Sequence, residues 1–126
     1  MYLYNTHLDA GTDSRDGAVQ KKQLRMLTDD IAYRVGSNDA LILAGDLNAD
    51  FDELAPWLRE TNLSIGACFD PRQYRENRQI DHILFRSGAR VQLTIVESGV
   101  AEEFRGLSDH PAIFARIKIT EVNSLW

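Results

Sequence analysis

The most constraining feature of the sequence is the segment Leu41–Asn48, an apolar run that ends in polar residues. Residues 41–44 are all apolar, which predicts a strand that is buried on both faces. Gly45 ends the run, and Asp46 and Asn48 follow it. Because side chains two positions apart in an extended chain point the same way, we expect this carboxylate and this carboxamide to project together. Taken alone, the segment favours an ordinary Asp/Asn turn after a strand.

Strand and helix patterns alternate on both sides of this segment. Residues that favour β-structure predict a first strand over Tyr2–His7. A helical repeat predicts a helix over 16–35, with Asp16 as its N-cap and Gly36 just beyond its end. A second helix is predicted after an N-cap at Asp52. The mostly apolar face of the first helix is formed by Gln20, Leu24, Leu27, Ile31 and Val35.

The second half of the chain predicts three further strands. A strongly apolar segment over 80–85 carries two polar residues near its start. Alternating apolar residues predict a half-buried strand over 91–95 and a two-faced strand over 112–120, with a loop over 97–107 between them. This order of elements is typical of an α/β fold.

Length and charge narrow the class of protein. A chain of 126 residues forms one domain and is long enough to bury a core. The net charge of −5 argues against tight binding to nucleic acid or to an anionic membrane, and no apolar run is long enough to span a bilayer. The single Cys68 excludes an internal disulfide. Because no secretory signal follows Met1, we expect a cytoplasmic protein.

The polar residues collect where predicted strands end, and in α/β sheets ligands bind beyond the strand ends. Carboxylate oxygens suit Mg²⁺ or Mn²⁺ better than zinc, and a histidine held by a carboxylate exchanges protons near neutral pH. These residue types therefore suit metal-assisted phosphoester hydrolysis. Each of the three histidines has an aspartate next to it or one residue removed, and the pairs are His7 with Asp9, His82 with Asp81, and His110 with Asp109.

Four short segments occur in an order that resembles the endonuclease/exonuclease/phosphatase superfamily, to which deoxyribonuclease I belongs. They are Asn5–Asp9, Gly45–Asn48, Ile80–Ile83 and Ser108–Pro111. The resemblance implies an α/β fold with a mixed, mostly antiparallel sheet and helices on one face. That arrangement is half of a deoxyribonuclease I-like four-layer sandwich. We expect residues 1–126 to form a single domain that is equivalent to the C-terminal half of the family domain.

The resemblance also implies catalytic roles at matching positions. Asp46 would orient or deprotonate the attacking water, and Asn48 would position that water and the phosphate. His110 would lie over the scissile phosphate, with Asp81 as its carboxylate partner. His7 would stabilise the transition state or assist the leaving group.

Other positions are implied to bind the metal and the substrate. Asp109 and Asp46 would hold Mg²⁺ or Mn²⁺, whereas His82 would be structural. Arg75 and Arg78 precede the Asp81 strand and could meet substrate phosphates, although a solvated loop explains them equally well.

The family motifs that precede the His-Leu-Asp strand, an Asn and a metal-binding Glu, are absent from the sequence. Without that Glu, the metal would be weakly bound. One face of the sheet, including Ile113 to Ile119, would also need a cover. We expect a homodimer through this open face, or a cover supplied by the missing N-terminal half or by a partner chain.

These considerations leave two main functions open. The first is a metal-dependent phosphoester hydrolase of the phosphodiesterase or phosphatase type, or the incomplete catalytic half of one. The alternative is a non-catalytic homodimeric half-domain with a binding or interaction role. A fragment that folds without a function is a third possibility. We expect a small or lipid-derived phosphoester as substrate rather than nucleic acid.

Overall fold

The computed structural model of the protein describes residues 1–10, 14–74 and 77–123. Short 3₁₀ turns lie at Pro71–Gln73 and Glu102–Phe104. Two α-helices and six strands are assigned in these ranges: β1 (Tyr2–His7), α1 (Ser14–Arg34), β2 (Leu41–Asp46), α2 (Phe51–Thr61), β3 (Ser64–Ile65), β4 (Asp81–Arg86), β5 (Val91–Val100) and β6 (Ile113–Glu121).

The strands form two sheets. The larger sheet has the order β1-β2-β4-β3, with β1 parallel to β2 and the remaining pairs antiparallel. The crossover between the two parallel strands is made by α1, since parallel neighbours cannot be joined by a tight turn. Strands β5 and β6 form a separate antiparallel ribbon. The predicted mixed, mostly antiparallel α/β fold is therefore confirmed, with the strands divided between two sheets.

The core lies between the larger sheet and the two helices. Leu41 and Leu43 on β2 and Leu84 on β4 are fully buried, and they pack with residues of both helices. The alternate residues of β2, Ile42 and Ala44, are only half-buried. The prediction that β2 is buried on both faces is therefore wrong for one face, because both helices pack on the other.

We call the face turned away from this core the open face. On this face the strand register places apolar side chains side by side in rows across the strands, with Leu3 beside Ile42 and Ile42 beside Phe85. Leu3 is 72% exposed, which is unusual for a leucine in the sheet of a folded domain. On the ribbon, Ile119 is 54% exposed. Exposed apolar side chains on one face of a sheet favour a further covering layer.

The start of α2 is fixed by Asp50 and not by the predicted N-cap Asp52. Asp50 has extended backbone geometry, and its carboxylate accepts a hydrogen bond of 3.0 Å from the Glu53 amide. The Glu53 carboxylate accepts in return from the Asp50 amide at 3.1 Å. This reciprocal pair is a capping box, which satisfies two amides that the helix itself leaves unpaired. The helix continues regularly through Pro56 to Thr61.

Two other predicted boundaries are also wrong. The first helix begins at Ser14, so Asp16 lies inside its first turn and is not its N-cap. Strand β5 continues to Val100, through the first residues of the predicted 97–107 loop. Pairing with β6 extends across that polar segment after an irregularity between Ile95 and Glu97, because the ladder of backbone hydrogen bonds does not depend on apolar side chains.

Within the ranges that the structure describes, no helix has both the length and the apolar character needed to cross a bilayer.

Replacing the capping residue tests the start of α2. We expect Asp50→Ala to lower the free energy of unfolding by about 1 kcal/mol, since it leaves the Glu53 amide without its acceptor. The matched control is Asp52→Ala, which removes an exposed acidic residue from the same turn and should cost only about 0.3 kcal/mol. Urea unfolding measures both values. Equal losses in the two variants would contradict this assignment of the cap.

Candidate functional site

The strand register aligns three of the predicted site residues in one row across the larger sheet. Asp46 at the end of β2 is the register partner of His7 on β1 and of Asp81 on β4. Register partners on neighbouring strands point to the same side of a sheet. The His7 Nε2 atom lies 3.4 Å from Asp46 Oδ2. The row therefore lies at the end of the open face, beyond the apolar rows.

Gly45 allows β1 to lie this close to β2. Its φ angle is +150°, and a Cβ atom at this position would lie 1.9 Å from the carbonyl oxygen of Thr6. Any side chain here would push the two strands apart, and with them His7 and Asp46. The glycine that ends the apolar run is therefore part of the geometry of the site.

His110 joins the row from the loop that precedes β6. Its Nδ1 donates a hydrogen bond of 2.6 Å to Asp81 Oδ2 and lies 3.9 Å from Asp46 Oδ2. Among the described residues, Asp46, Asp81 and His110 form a cluster in which one ligand atom from each lies within 4.8 Å of the others. All three residues are half-buried. The structure thus brings together four of the predicted catalytic residues, with His7 at the edge.

Burial and hydrogen bonding shift the pKa values of the His110–Asp81 pair. The hydrogen bond to Asp81 raises the pKa of His110 above its ordinary value, and the nearby carboxylates add to this effect. Burial raises the pKa of Asp81, and the hydrogen bond from His110 opposes that change. Because the proton on Nδ1 is held by Asp81, Nε2 is the His110 atom that is left to exchange a proton with a substrate.

The paired projection of Asp46 and Asn48 is predicted from extended geometry, and that geometry ends before Asn48. Strand β2 ends at Asp46, and Asn48 has a left-handed backbone with φ of 48°. Its amide N–H donates to Asp46 Oδ1 at 2.9 Å, and its side-chain Nδ2 donates to the Leu8 carbonyl at 2.7 Å. Asn48 therefore orients Asp46 and joins the ends of β1 and β2. Its predicted contact with water and phosphate stays a prediction.

Gln20 is a residue of the site region that sequence reasoning missed. Its Nε2 atom lies within hydrogen-bonding distance of three backbone carbonyls, those of Asp9 at 3.1 Å, Leu47 at 3.2 Å and Asn48 at 2.9 Å. Gln20 thereby ties α1 to the loops that follow β1 and β2. The sequence carried one signal for this role, namely an amide on an otherwise apolar helix face. A half-buried polar group in such a position needs hydrogen-bond partners.

Asp109 lies apart from the three-residue cluster. Its side chain is exposed, and one carboxylate oxygen lies 3.4 Å from the Ser108 hydroxyl. Its predicted role as a metal ligand stays a prediction.

Arg78 is held by carboxylates at the start of α2. Its guanidinium donates to Glu53 and has its Nε atom 3.6 Å from Asp50 Oδ2. A substrate phosphate would have to compete with these two carboxylates for the guanidinium. Its predicted contact with substrate stays a prediction. Arg75, the second predicted contact, lies outside the described residues.

His82 is buried in the core side of the sheet. It is 1% exposed, its Nε2 lies 2.7 Å from the carbonyl oxygen of Ala49, and its ring makes an edge contact with Phe51. Burial lowers the pKa of His82. These contacts agree with the structural role expected of this residue.

The donor atoms of the cluster fit a divalent cation in part. Asp46 and Asp81 offer carboxylate oxygens, which Mg²⁺ and Mn²⁺ prefer. The third donor, His110, already uses Nδ1 to bond Asp81, so a cation would compete with that hydrogen bond. Water would have to complete the coordination shell. The arrangement therefore suits a weakly held ion.

The comparisons with known proteins identify the family. Residues 4–110 match the model of the Endonuclease/Exonuclease/phosphatase family. Since this match covers most of the chain, the protein belongs to that family. No curated protein matches the chain.

Solved structures show the same fold. An endonuclease/exonuclease/phosphatase from Beutenbergia cavernae DSM 12333 matches with a TM-score of 0.72 and 21% identity, over 93% of this chain and 35% of that chain. Cytolethal distending toxin from Actinobacillus actinomycetemcomitans matches with a TM-score of 0.54 and 17% identity, over 88% of this chain and 47% of that chain. The chain thus spans about a third of the first structure and about half of the second.

The pairing of His110 with Asp81 is testable without any activity. We expect Asp81→Asn to lower the pKa of His110, because the substitution removes the negative charge that favours the imidazolium. An NMR titration of the imidazole protons should show the midpoint moving to lower pH. The matched control is Asp109→Asn, which removes a charge that has less effect on His110. An equal or larger decrease in the control would contradict the pairing.

Proposed function

We propose that the protein is a metal-dependent phosphoester hydrolase of the phosphodiesterase or phosphatase type, or the catalytic half of one. The observation that carries the proposal is the row of His7, Asp46 and Asp81 across the sheet, with His110 bonded to Asp81. Membership of the family supports the same class of reaction. In this proposal Asp46 is the base, His7 is the acid and His110 is the cationic group, and the three surround a space open to solvent.

In the proposed reaction, Asp46 orients a water molecule and takes its proton as the water oxygen attacks phosphorus. Asn48 orients Asp46 and positions the water and the phosphate. The bond from phosphorus to the leaving oxygen breaks, and His7 gives that oxygen a proton. His110, kept protonated by Asp81, stabilises the negative charge that builds on the phosphoryl oxygens.

We propose Mg²⁺ or Mn²⁺ as the cofactor, held by oxygens of Asp46 and Asp81, with Asp109 as a further ligand if its loop moves inward. When bound, the ion supplies positive charge that polarises the phosphate. Its affinity is expected to be weak, because few protein ligands lie close to one another here. Arg78 and Arg75 remain proposed substrate contacts, and Arg78 must leave Asp50 and Glu53 to reach a phosphate.

Hydrolysis of bis-p-nitrophenyl phosphate tests the function. We expect turnover with Mg²⁺ or Mn²⁺, loss of turnover with EDTA, and a fall of about 100-fold or more in His110→Ala. Lys118→Ala, which alters an exposed residue of β6, should leave the rate unchanged and serves as the control. Turnover that survives EDTA, or equal rates in His110→Ala and the wild type, would contradict the proposal.

We propose further that residues 1–126 act as one domain and pair through the open face with a second copy. The supporting observation is the exposure of two apolar side chains, Leu3 on the open face and Ile119 on the ribbon. The alternative cover is the part of the family domain that this chain does not span, which is about two-thirds of the Beutenbergia cavernae structure. A non-catalytic homodimer with a binding role is the second candidate function, favoured by that same partial coverage.

Light scattering tests the proposed pairing. We expect twice the mass of the chain, since an obligate interface between two such faces buries on the order of 2,000 Å². Leu3→Glu should give the single-chain mass, because it places a charge within the interface. Tyr33→Glu is the matched control, as Tyr33 is 87% exposed on α1, away from the open face. A wild-type protein with the single-chain mass would exclude the homodimer.

A further inference from the structure

A cavity of about 490 Å³ lies beside His110, between two loops. One loop contributes Tyr74, and the other is the segment 100–112 between β5 and β6. The two loops are joined by a hydrogen bond of 2.5 Å from the Tyr74 hydroxyl to Glu102. The Tyr74 ring also makes an edge contact with Phe69, with ring centroids 5.0 Å apart. These two contacts hold one wall of the pocket in place, and the volume of the pocket suits a small molecule.

About half of the exposed lining of this pocket is apolar. Phe104 and Leu107 are 53% and 79% exposed, so both have area to bury against a ligand. Pro111 and the ring of Tyr74 lie in the same wall. The remaining apolar positions of the lining are Val100, Ala101 and Ala112. These side chains offer a carbon-rich contact area to the organic part of a ligand.

The charges around the pocket disfavour a second phosphate. The described lining contains two side chains that are cationic in the proposed reaction, and each is already paired: Arg105 is bonded to Glu102 at 2.7 Å, and His110 is bonded to Asp81. The lining also contains the carboxylate of Asp109. A second phosphate would therefore find no unpaired cation in the described lining, and the Asp109 carboxylate would repel it.

Resting on the proposed function, we infer that this pocket holds the alcohol of a monoanionic phosphodiester, and that this alcohol is apolar or aromatic. His110, at the edge of the pocket, would then lie at the phosphate, while Phe104 and Leu107 would cover the organic group. The inference names a substrate class for the site and excludes chains of phosphates, such as nucleic acid or a polyphosphorylated alcohol. Phe104 and Leu107 are the residues that set this specificity.

Measurements of equilibrium binding test this inference independently of whether the protein hydrolyses a substrate. The probes are diphenyl phosphate, dimethyl phosphate and a short single-stranded oligonucleotide, each followed by NMR titration of the protein. We expect diphenyl phosphate to bind at least tenfold more tightly than either of the others. Phe104→Ala and Leu107→Ala should each weaken its binding about threefold to tenfold, which corresponds to the loss of one aromatic or aliphatic contact.

Met26→Ala is the matched control, because Met26 is 70% exposed, between Phe104 and Leu107, but lies on α1, outside the pocket lining. It should leave the binding of diphenyl phosphate unchanged. Selective binding without hydrolysis of bis-p-nitrophenyl phosphate would uphold the pocket and refute the hydrolase. Hydrolysis together with equal binding of the three probes, or with unchanged binding in both pocket variants, would refute the pocket alone. Tighter binding of the oligonucleotide, or no binding of diphenyl phosphate, would also overturn the inference.

Discussion

The alignment of Asp46 between two neighbouring strands is the constraint on which the rest of the site depends. Asp46 pairs in register with His7 on one side and with Asp81 on the other. A shift of one residue in either strand would turn every following side chain to the opposite face. The fully buried leucines of β2 and β4 oppose such a shift, since it would move them out of the core. Hydrophobic packing on one face thus sets the polar geometry on the other.

Features that depend on short stretches of chain could be predicted from the sequence. The apolar run at Leu41 predicts a strand, and of the residues in the three His–Asp pairs the structure brings His7, Asp81 and His110 together at Asp46. It leaves Asp109 outside the cluster and buries His82 on the core side. Features that depend on distant contacts could not be predicted. Gln20 binds carbonyls 11 to 28 positions away, and β5 extends through polar residues only because β6 lies beside it. The sequence alone does not distinguish Asp50 from Asp52 as the N-cap of α2, because the two residues are chemically identical and only backbone geometry separates them.

The open face and the cluster of site residues lie on the same side of the larger sheet. Leu3 and Ile42 continue the two strands whose ends carry His7 and Asp46. Anything that covers the apolar rows must therefore reach the edge of the polar row. Assembly and chemistry share one surface, so a substitution on this face acts on both. This arrangement also explains why a chain spanning part of a family domain can hold several site residues and still leave apolar side chains exposed.

The single amide of Gln20 has a consequence for the chemical ageing of the protein. Its NH₂ group has two hydrogens, and three carbonyl oxygens lie 2.9 to 3.2 Å from its nitrogen. Deamidation would convert this residue to glutamate with almost no change of shape. The new carboxylate oxygens cannot donate hydrogen bonds and would face the backbone carbonyl oxygens. Repulsion between these oxygens would move the two loops at the strand ends away from α1. Slow loss of one nitrogen atom would thus open the region around Asp46 without touching any residue of the cluster.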